Sequence, residues 1–137
     1  MKKKILLVGI LSAFSFFGCT EDEIVKPSYY NTPVISKTTN AFVYTLWADY
    51  YTQTATYDFN FNSDSSAFSL IITNYFSGIG NLELKDTSGA IIYSETLQGN
   101  KVISFMQANQ VIPKLLHVDF DRFRGKINIA LVKSGVN

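Results

Sequence analysis

Apolar and polar residues alternate one by one through much of the chain, and this pattern is the strongest constraint on its fold. Between residues 116 and 121, apolar Leu, Val and Phe occupy every second position, and His117, Asp119 and Asp121 stand between them. A period of two places alternate side chains on opposite faces of a strand, whereas an amphipathic helix requires a period of 3.6. The alternation therefore predicts an all-β fold.

Turn-forming residues divide the alternating sequence into about eight short segments. A turn at 86–89 predicts one hairpin, and Arg124-Gly125 predicts a second. The glycine pair Gly78 and Gly80 predicts another tight turn. Strands spaced by about 8 to 12 residues are typical of sandwiches, so we expect an antiparallel β-sandwich of about eight strands. The predicted strands are 41–47, 57–62, 67–75, 82–85, 90–96, 102–106, 116–121 and 127–131.

The N-terminus has the three zones of a secretory signal peptide. Three lysines at positions 2–4 precede an apolar run from Ile5 to Phe17, which Gly18 and Cys19 follow. The run is shorter than the about 20 residues that a membrane-spanning helix needs. We therefore expect residues 1–19 to be a signal peptide rather than a permanent span.

The end of this segment, Phe16-Phe17-Gly18-Cys19, resembles the lipobox of bacterial lipoproteins. The resemblance implies that Cys19 becomes the mature N-terminus and carries acyl chains such as palmitate, which would anchor the chain to a membrane. The next acidic residues, Glu21 to Glu23, resemble the signal that sends lipoproteins of Bacteroidota to the cell surface across the outer membrane. The periplasmic side of that membrane remains the alternative location.

Charge and cysteine content limit what the mature chain can bind. Removal of residues 1–19 takes away three of the 12 basic residues and none of the 11 acidic ones, which leaves a net charge of about −2. This balance does not favour nucleic acid. With Cys19 as the only cysteine, no disulfide or thiolate metal site is expected. The polar stretch 20–39 predicts a flexible tether, and 40–137 a single domain.

Other residue patterns are weak candidates for metal binding or catalysis. Asp58, Asn60, Asn62 and Asp64 have the spacing of half a calcium loop, but Ser63 stands where such a loop needs glycine. His117 and its neighbouring aspartates are better explained as a solvated strand face than as metal ligands. His117 is the only histidine, and the sequence has no Gly-x-Ser-x-Gly motif to expose a nucleophilic serine for catalysis with it. We predict no metal, no cofactor and no enzymatic activity.

An aromatic and acidic cluster is the preferred binding patch. It consists of Trp47, Asp49, Tyr50 and Tyr51 at the junction of the first two predicted strands. Aromatic rings at a loop edge can stack on sugars or anchor a protein. The other interpretation is that Trp47 ends a core strand while the tyrosines cover the sandwich edge.

Together these features indicate a surface lipoprotein without catalytic function. We expect a module that binds a glycan, a host protein or another envelope protein. A structural or accessory subunit of an envelope complex is the alternative, and a small hydrolase is a distant third. A sandwich fold alone does not decide among them.

Overall fold

The computed structural model describes residues 27–60, 63, 65–107 and 111–134. These residues contain strands and no helix, so none of them forms an apolar helix able to cross a bilayer. The prediction of an all-β chain is confirmed. The predicted signal peptide and Cys19 lie outside the described residues. The strands are β1 (Val34–Lys37), β2 (Ala41–Asp58), β3 (Ser66–Lys85), β4 (Ile91–Leu97), β5 (Lys101–Gln107) and β6 (Leu115–Lys133).

Three long strands, β2, β3 and β6, form the centre of one continuous antiparallel sheet. They contain 18, 20 and 19 residues, and β6 lies between the other two and pairs with both along their length. Each long strand contributes its two halves to two different layers. The first layer consists of β1, 41–48 of β2, 125–133 of β6, 66–73 of β3 and β5; the second consists of 53–58 of β2, 115–121 of β6, 77–85 of β3 and β4.

The two layers face each other across a core, as contacts within a single strand demonstrate. The ring centroids of Tyr44 and Tyr57 lie 5.5 Å apart although both belong to β2. Thirteen residues of straight strand would separate them by about 44 Å. Phe68 of the first layer also contacts Tyr93 of the second at 5.4 Å. The sheet is folded onto itself, and the expected antiparallel β-sandwich is confirmed.

The strands bend at β-bulges that lie side by side. In β2, Asp49 and Tyr50 stand opposite the single residue Arg124 of β6. In β3, residues 74–76 stand opposite the single residue Gly125. A bulge adds unpaired residues to one strand, which bends the strand and increases its twist. Neighbouring bulges therefore fold all three strands along one line, called the bend below.

The bend explains why the predicted strand count was about eight: β2, β3 and β6 were each predicted as two strands, while β1 was not predicted. The turns predicted at Gly78 to Asn81 and at Arg124-Gly125 are wrong, because these residues continue β3 and β6 at or beside the register shifts. Glycine interrupts the alternation in a bulge as it does in a turn, so the sequence does not distinguish a bend from a reversal. The other predicted hairpin is confirmed: β3 and β4 pair across a turn in which the Asp86 carboxylate accepts hydrogen bonds from the backbone N–H groups of Ser88 and Ala90.

Candidate functional site

An open cleft of about 450 Å³ lies at the bend. Residues from all three long strands line it, together with two residues that precede β1. Its wall combines aromatic rings with charged and amide side chains, which is the composition of many ligand sites. The lining residues are Pro27, Tyr30, Trp47, Ala48, Asp49, Asn74, Phe76, Arg124, Gly125 and Lys126.

Arg124 is the centre of the site. Its Nε donates to the Asp49 carboxylate at 2.9 Å. Its guanidinium carbon lies 4.5 Å from the ring centre of Tyr50 and 4.4 Å from that of Phe76. A cation over an aromatic face is attracted by the ring quadrupole. The guanidinium is thus held by one carboxylate and two rings, while Phe76 itself is 73% exposed.

The bulge in β2 supplies two of these partners. Because two residues of β2 stand opposite Arg124, both the buried Asp49 and the exposed Tyr50 contact it. Tyr50 has a φ of 53°, in the left-handed region that costs a residue with a Cβ about 1 to 2 kcal/mol. Strain of this kind persists only where surrounding contacts enforce it, and it concentrates at functional sites.

The segment before β1 closes one side of the cleft. The Asn31 side chain accepts from the backbone N–H of Asp49 at 2.8 Å and donates to its carbonyl at 2.9 Å. It therefore satisfies backbone groups at the bulge. The adjacent Tyr29 and Tyr30 present their rings to Trp47 at centroid distances of 5.0 and 6.0 Å. On the same indole, the Lys126 ammonium lies 4.6 Å from the ring.

The folded structure begins closer to the N-terminus than the sequence predicts. The sequence places residues 20–39 in a flexible tether, yet Tyr30 pairs with Trp47 and β1 pairs with β2. The apolar content of residues 20–39 is too low to produce a strand pattern in the sequence. The pairing of Tyr30 and β1 depends on their partners in β2. The ordered backbone therefore begins before the predicted boundary at Asn40.

The structure brings together three of the four predicted patch residues. Trp47 and Asp49 line the cleft, and Tyr50 contacts Arg124 beside it. Tyr51 differs, because it is only 7% exposed and packs against Phe120 at 5.5 Å. Burial raises the pKa of its hydroxyl. Tyr51 therefore belongs to the core.

Sequence reasoning missed the residues that complete the site. Tyr30, Asn74, Phe76, Arg124 and Lys126 are distant from the patch in sequence and meet it only because the strands pair. Two signals could have pointed to some of them. One is the adjacent pair of aromatic residues at 29–30 in an otherwise polar stretch, and the other is the aromatic pair Tyr75-Phe76 directly after Asn74.

Comparisons with known proteins give no family for this chain. No protein-family model and no curated protein matches the sequence. Among solved structures, a pilus protein of Bacillus endospore appendages is 12% identical with a TM-score of 0.40, over 74% of this chain and 91% of that one. The VP2 subviral particle of infectious bursal disease virus is 10% identical with a TM-score of 0.35, over 77% of this chain and 32% of that one.

A third similar structure is CsCBM6-3 from Clostridium stercorarium, solved in complex with cellobiose. It is 15% identical with a TM-score of 0.27, over 74% of this chain and 82% of that one. These identities and scores are too low to assign a function, and only the residues of this chain itself can indicate one.

The other sequence candidates lie apart from the cleft. His117 and Asp119 share the outer face of the second layer, where His117 Nδ1 lies 2.8 Å from the Thr56 hydroxyl and Thr54 donates to Asp119. The described residues include no group of three His, Cys, Asp or Glu that could hold a metal ion. Two members of the calcium-like pattern, at positions 62 and 64, lie outside the described residues.

Proposed function

We propose that this protein is a lipid-anchored surface module that binds a glycan in the cleft at the bend. The observation that carries the proposal is the arrangement of Phe76 beside Arg124 and Asp49. Phe76 presents a large, 73% exposed ring next to a fixed ion pair. Burying such a ring against a ligand is favourable, and exposed aromatics of this kind are characteristic of binding sites.

A sugar ring matches the chemistry of the cleft. The C–H face of a pyranose can stack on the exposed ring of Phe76, while its hydroxyls can form hydrogen bonds with the Asn74 amide and accept from the Arg124 guanidinium. The Asp49 carboxylate is only 8% exposed and already paired with Arg124, so both groups are held in place before a ligand arrives. Preorganised polar groups lose less entropy on binding and give specificity.

The predicted lipid anchor would hold this cleft near the membrane. Pro27, which lines the cleft, follows Cys19 by eight positions. Even a fully extended chain of that length spans at most about 28 Å. If Cys19 is acylated, the cleft samples ligands close to the bilayer surface, where glycans of the cell envelope are concentrated.

The test is a glycan array probed with the unacylated chain beginning at Thr20, together with its Phe76→Ala and Tyr50→Ala variants. Loss of the Phe76 ring, on which the sugar stacks, or of the Tyr50 ring, which holds Arg124, should weaken binding by about 5- to 30-fold. Ile91→Ala is the matched control, because Ile91 is an exposed apolar residue at 56% on β4, away from the cleft. That variant should bind like the original chain.

Two results would contradict the proposal. The first is absence of binding to any glycan by the folded chain. The second is equal binding by the Phe76→Ala variant, which would move the site elsewhere. Capture of an envelope protein that depends on Phe76 and Tyr50 would replace the glycan by a protein ligand at the same site.

A further inference from the structure

The cleft at the bend carries an excess of positive charge. Its lining contains two cations, Arg124 and Lys126, and Asp49 is the only carboxylate among the lining residues that the structure describes. The mature chain that the sequence predicts has a net charge of about −2. The positive charge of the cleft is therefore a local feature of the bend and opposite in sign to the charge of the whole chain.

The ion pair at the centre of the site presents mainly its positive partner to solvent. The side chain of Arg124 is 30% exposed, whereas the side chain of Asp49 is only 8% exposed. A ligand in the cleft therefore meets more of the guanidinium than of the carboxylate. Because a cleft lined by one sign of charge concentrates ligands of the opposite sign, this arrangement favours a negatively charged group.

Lys126 supplies the charge that no carboxylate balances. Its ammonium lies 4.6 Å from the ring centre of Trp47, and it forms no ion pair and no hydrogen bond with any residue that the structure describes. Attraction by the ring holds the ammonium in place but leaves its three N–H donors without acceptors in the protein. Lys126 is also half-buried, so an anionic oxygen of a ligand would replace water that the site already restricts.

Strand pairing places this ammonium within reach of the aromatic part of the cleft. Lys126 pairs with Trp47 of β2 on one side and with Thr73 of β3 on the other. Arg124 precedes it by two positions on β6, which is about 7 Å of strand. Both cations line the same cleft as Phe76. One glycan can therefore stack on the ring and contact both cations.

We propose that the glycan bound in the cleft is acidic and carries a singly charged carboxylate or sulfate group, which the Lys126 ammonium binds. This inference rests on the proposed function and names the class of sugar for the same cleft. One negative charge on the ligand matches the one unbalanced positive charge of the lining, whereas a phosphate monoester carries about −1.5 to −2. Hydrogen bonds between an ammonium and an anionic oxygen are about twice as strong as neutral ones.

The experiment compares glycans that differ only in charge. Gluco-, galacto- and manno-oligosaccharides are each prepared in a neutral form, a form oxidised to the uronate at C6 and a form sulfated at C6. Binding of each to the unacylated chain from Thr20 is measured by calorimetry. We expect an acidic form to bind about tenfold more tightly than its neutral counterpart. Raising the salt concentration from about 0.05 M to about 0.5 M should reduce this preference, because salt screens the charges.

Variants of single lysines locate the recognised charge. Lys126→Met keeps an unbranched apolar stem beside Trp47 but removes the ammonium, so the ratio of acidic to neutral binding should fall to about one. Lys126→Arg keeps the positive charge and should keep the preference. The matched control is Lys133→Met, because Lys133 is an exposed lysine at the last position of β6 and does not line the cleft. This control removes the same charge from the chain and should also keep the preference.

Each outcome decides the question. Equal binding of neutral and acidic forms by the original chain overturns the inference but leaves the proposal of a glycan ligand standing. A preference for acidic forms that persists in Lys126→Met also overturns it, because another group would then recognise the charge. Absence of binding to every oligosaccharide overturns both proposals. A preference that disappears in Lys126→Met and persists in Lys133→Met supports the inference.

Discussion

Single residues at the bend determine whether the long strands can fold over. Gly78 has a φ of 84°, and a Cβ added there would lie 2.2 Å from the Arg122 carbonyl oxygen. That oxygen belongs to the neighbouring strand backbone and has no room to move. The close approach of β3 to β6 therefore requires glycine at this position.

We expect Gly78→Ala to destabilise the protein by about 3 to 5 kcal/mol, because strain and a backbone clash act together. Gly89→Ala is the matched control. Gly89 has nearly the same φ, 85°, but a Cβ there meets nothing within 4 Å. It should lose only about 1 to 2 kcal/mol from conformational strain. Urea unfolding of both variants measures the difference, and equal losses would show that the close approach is not required.

Among the strands, an ion pair connects the two layers at the β4–β5 connection. β4 belongs to the second layer and β5 to the first. Lys101 donates to the Glu95 carboxylate at 2.6 Å, and the Tyr93 hydroxyl donates to it at 3.0 Å. The hydrogen bond from Lys101 holds the pKa of Glu95 below its usual value. The carboxylate is therefore more stable in the folded chain than in the unfolded one.

This shift predicts a pH dependence of stability. Because the folded pKa of Glu95 is lowered, its contribution is present above the unfolded pKa and disappears as pH falls through the folded pKa. We expect Glu95→Gln to reduce the free energy of unfolding by about 0.5 kcal/mol at neutral pH. The difference between variant and original chain should shrink at about pH 3. Urea unfolding at both pH values tests this, and a difference independent of pH would exclude the linkage.

For the molecule as a whole, the prediction with the largest consequence concerns the lipid anchor at Cys19. We expect Cys19→Ser to abolish labelling by a palmitate analogue and to move the protein from the membrane to the soluble fraction. The folded domain should remain intact, because the described contacts all lie within 27–134. A variant that is still acylated, or still bound to membranes, would contradict the anchor.

Protease added to intact cells distinguishes the two faces of the outer membrane. Digestion of the protein while a periplasmic marker survives would support surface display, which residues 21–23 predict. Complete protection in cells with a sound outer membrane would place the domain on the periplasmic side. A rupture control, in which the same protease digests the released domain, shows that the chain contains accessible cleavage sites.

Local patterns predicted well those features that depend on neighbours in sequence. The alternation in 116–120 is realised in β6, where Leu116, Val118 and Phe120 are all buried. The turn after Lys85 also formed as expected, because Asp86 and Gly89 carry its geometry within four residues.

Features that depend on strands meeting in space were not readable from the sequence. Arg124 looked like part of a turn, but pairing with a bulged β2 makes it the centre of the cleft. Tyr51 resembled its neighbour Tyr50, but one extra residue in the bulge reversed which of them faces water. A shift of one residue exchanges the two faces of a strand.

The order of residues along the chain was enough to establish an all-β sandwich whose strands have one wet and one buried side, because alternation is a local property of side-chain chemistry. The folded arrangement was needed to establish that β2, β3 and β6 continue through both layers, that their bulges align to form a cleft, and that Arg124 and Lys126 both line it. Register between strands fixes all three, and register arises from long-range pairing rather than from any single segment.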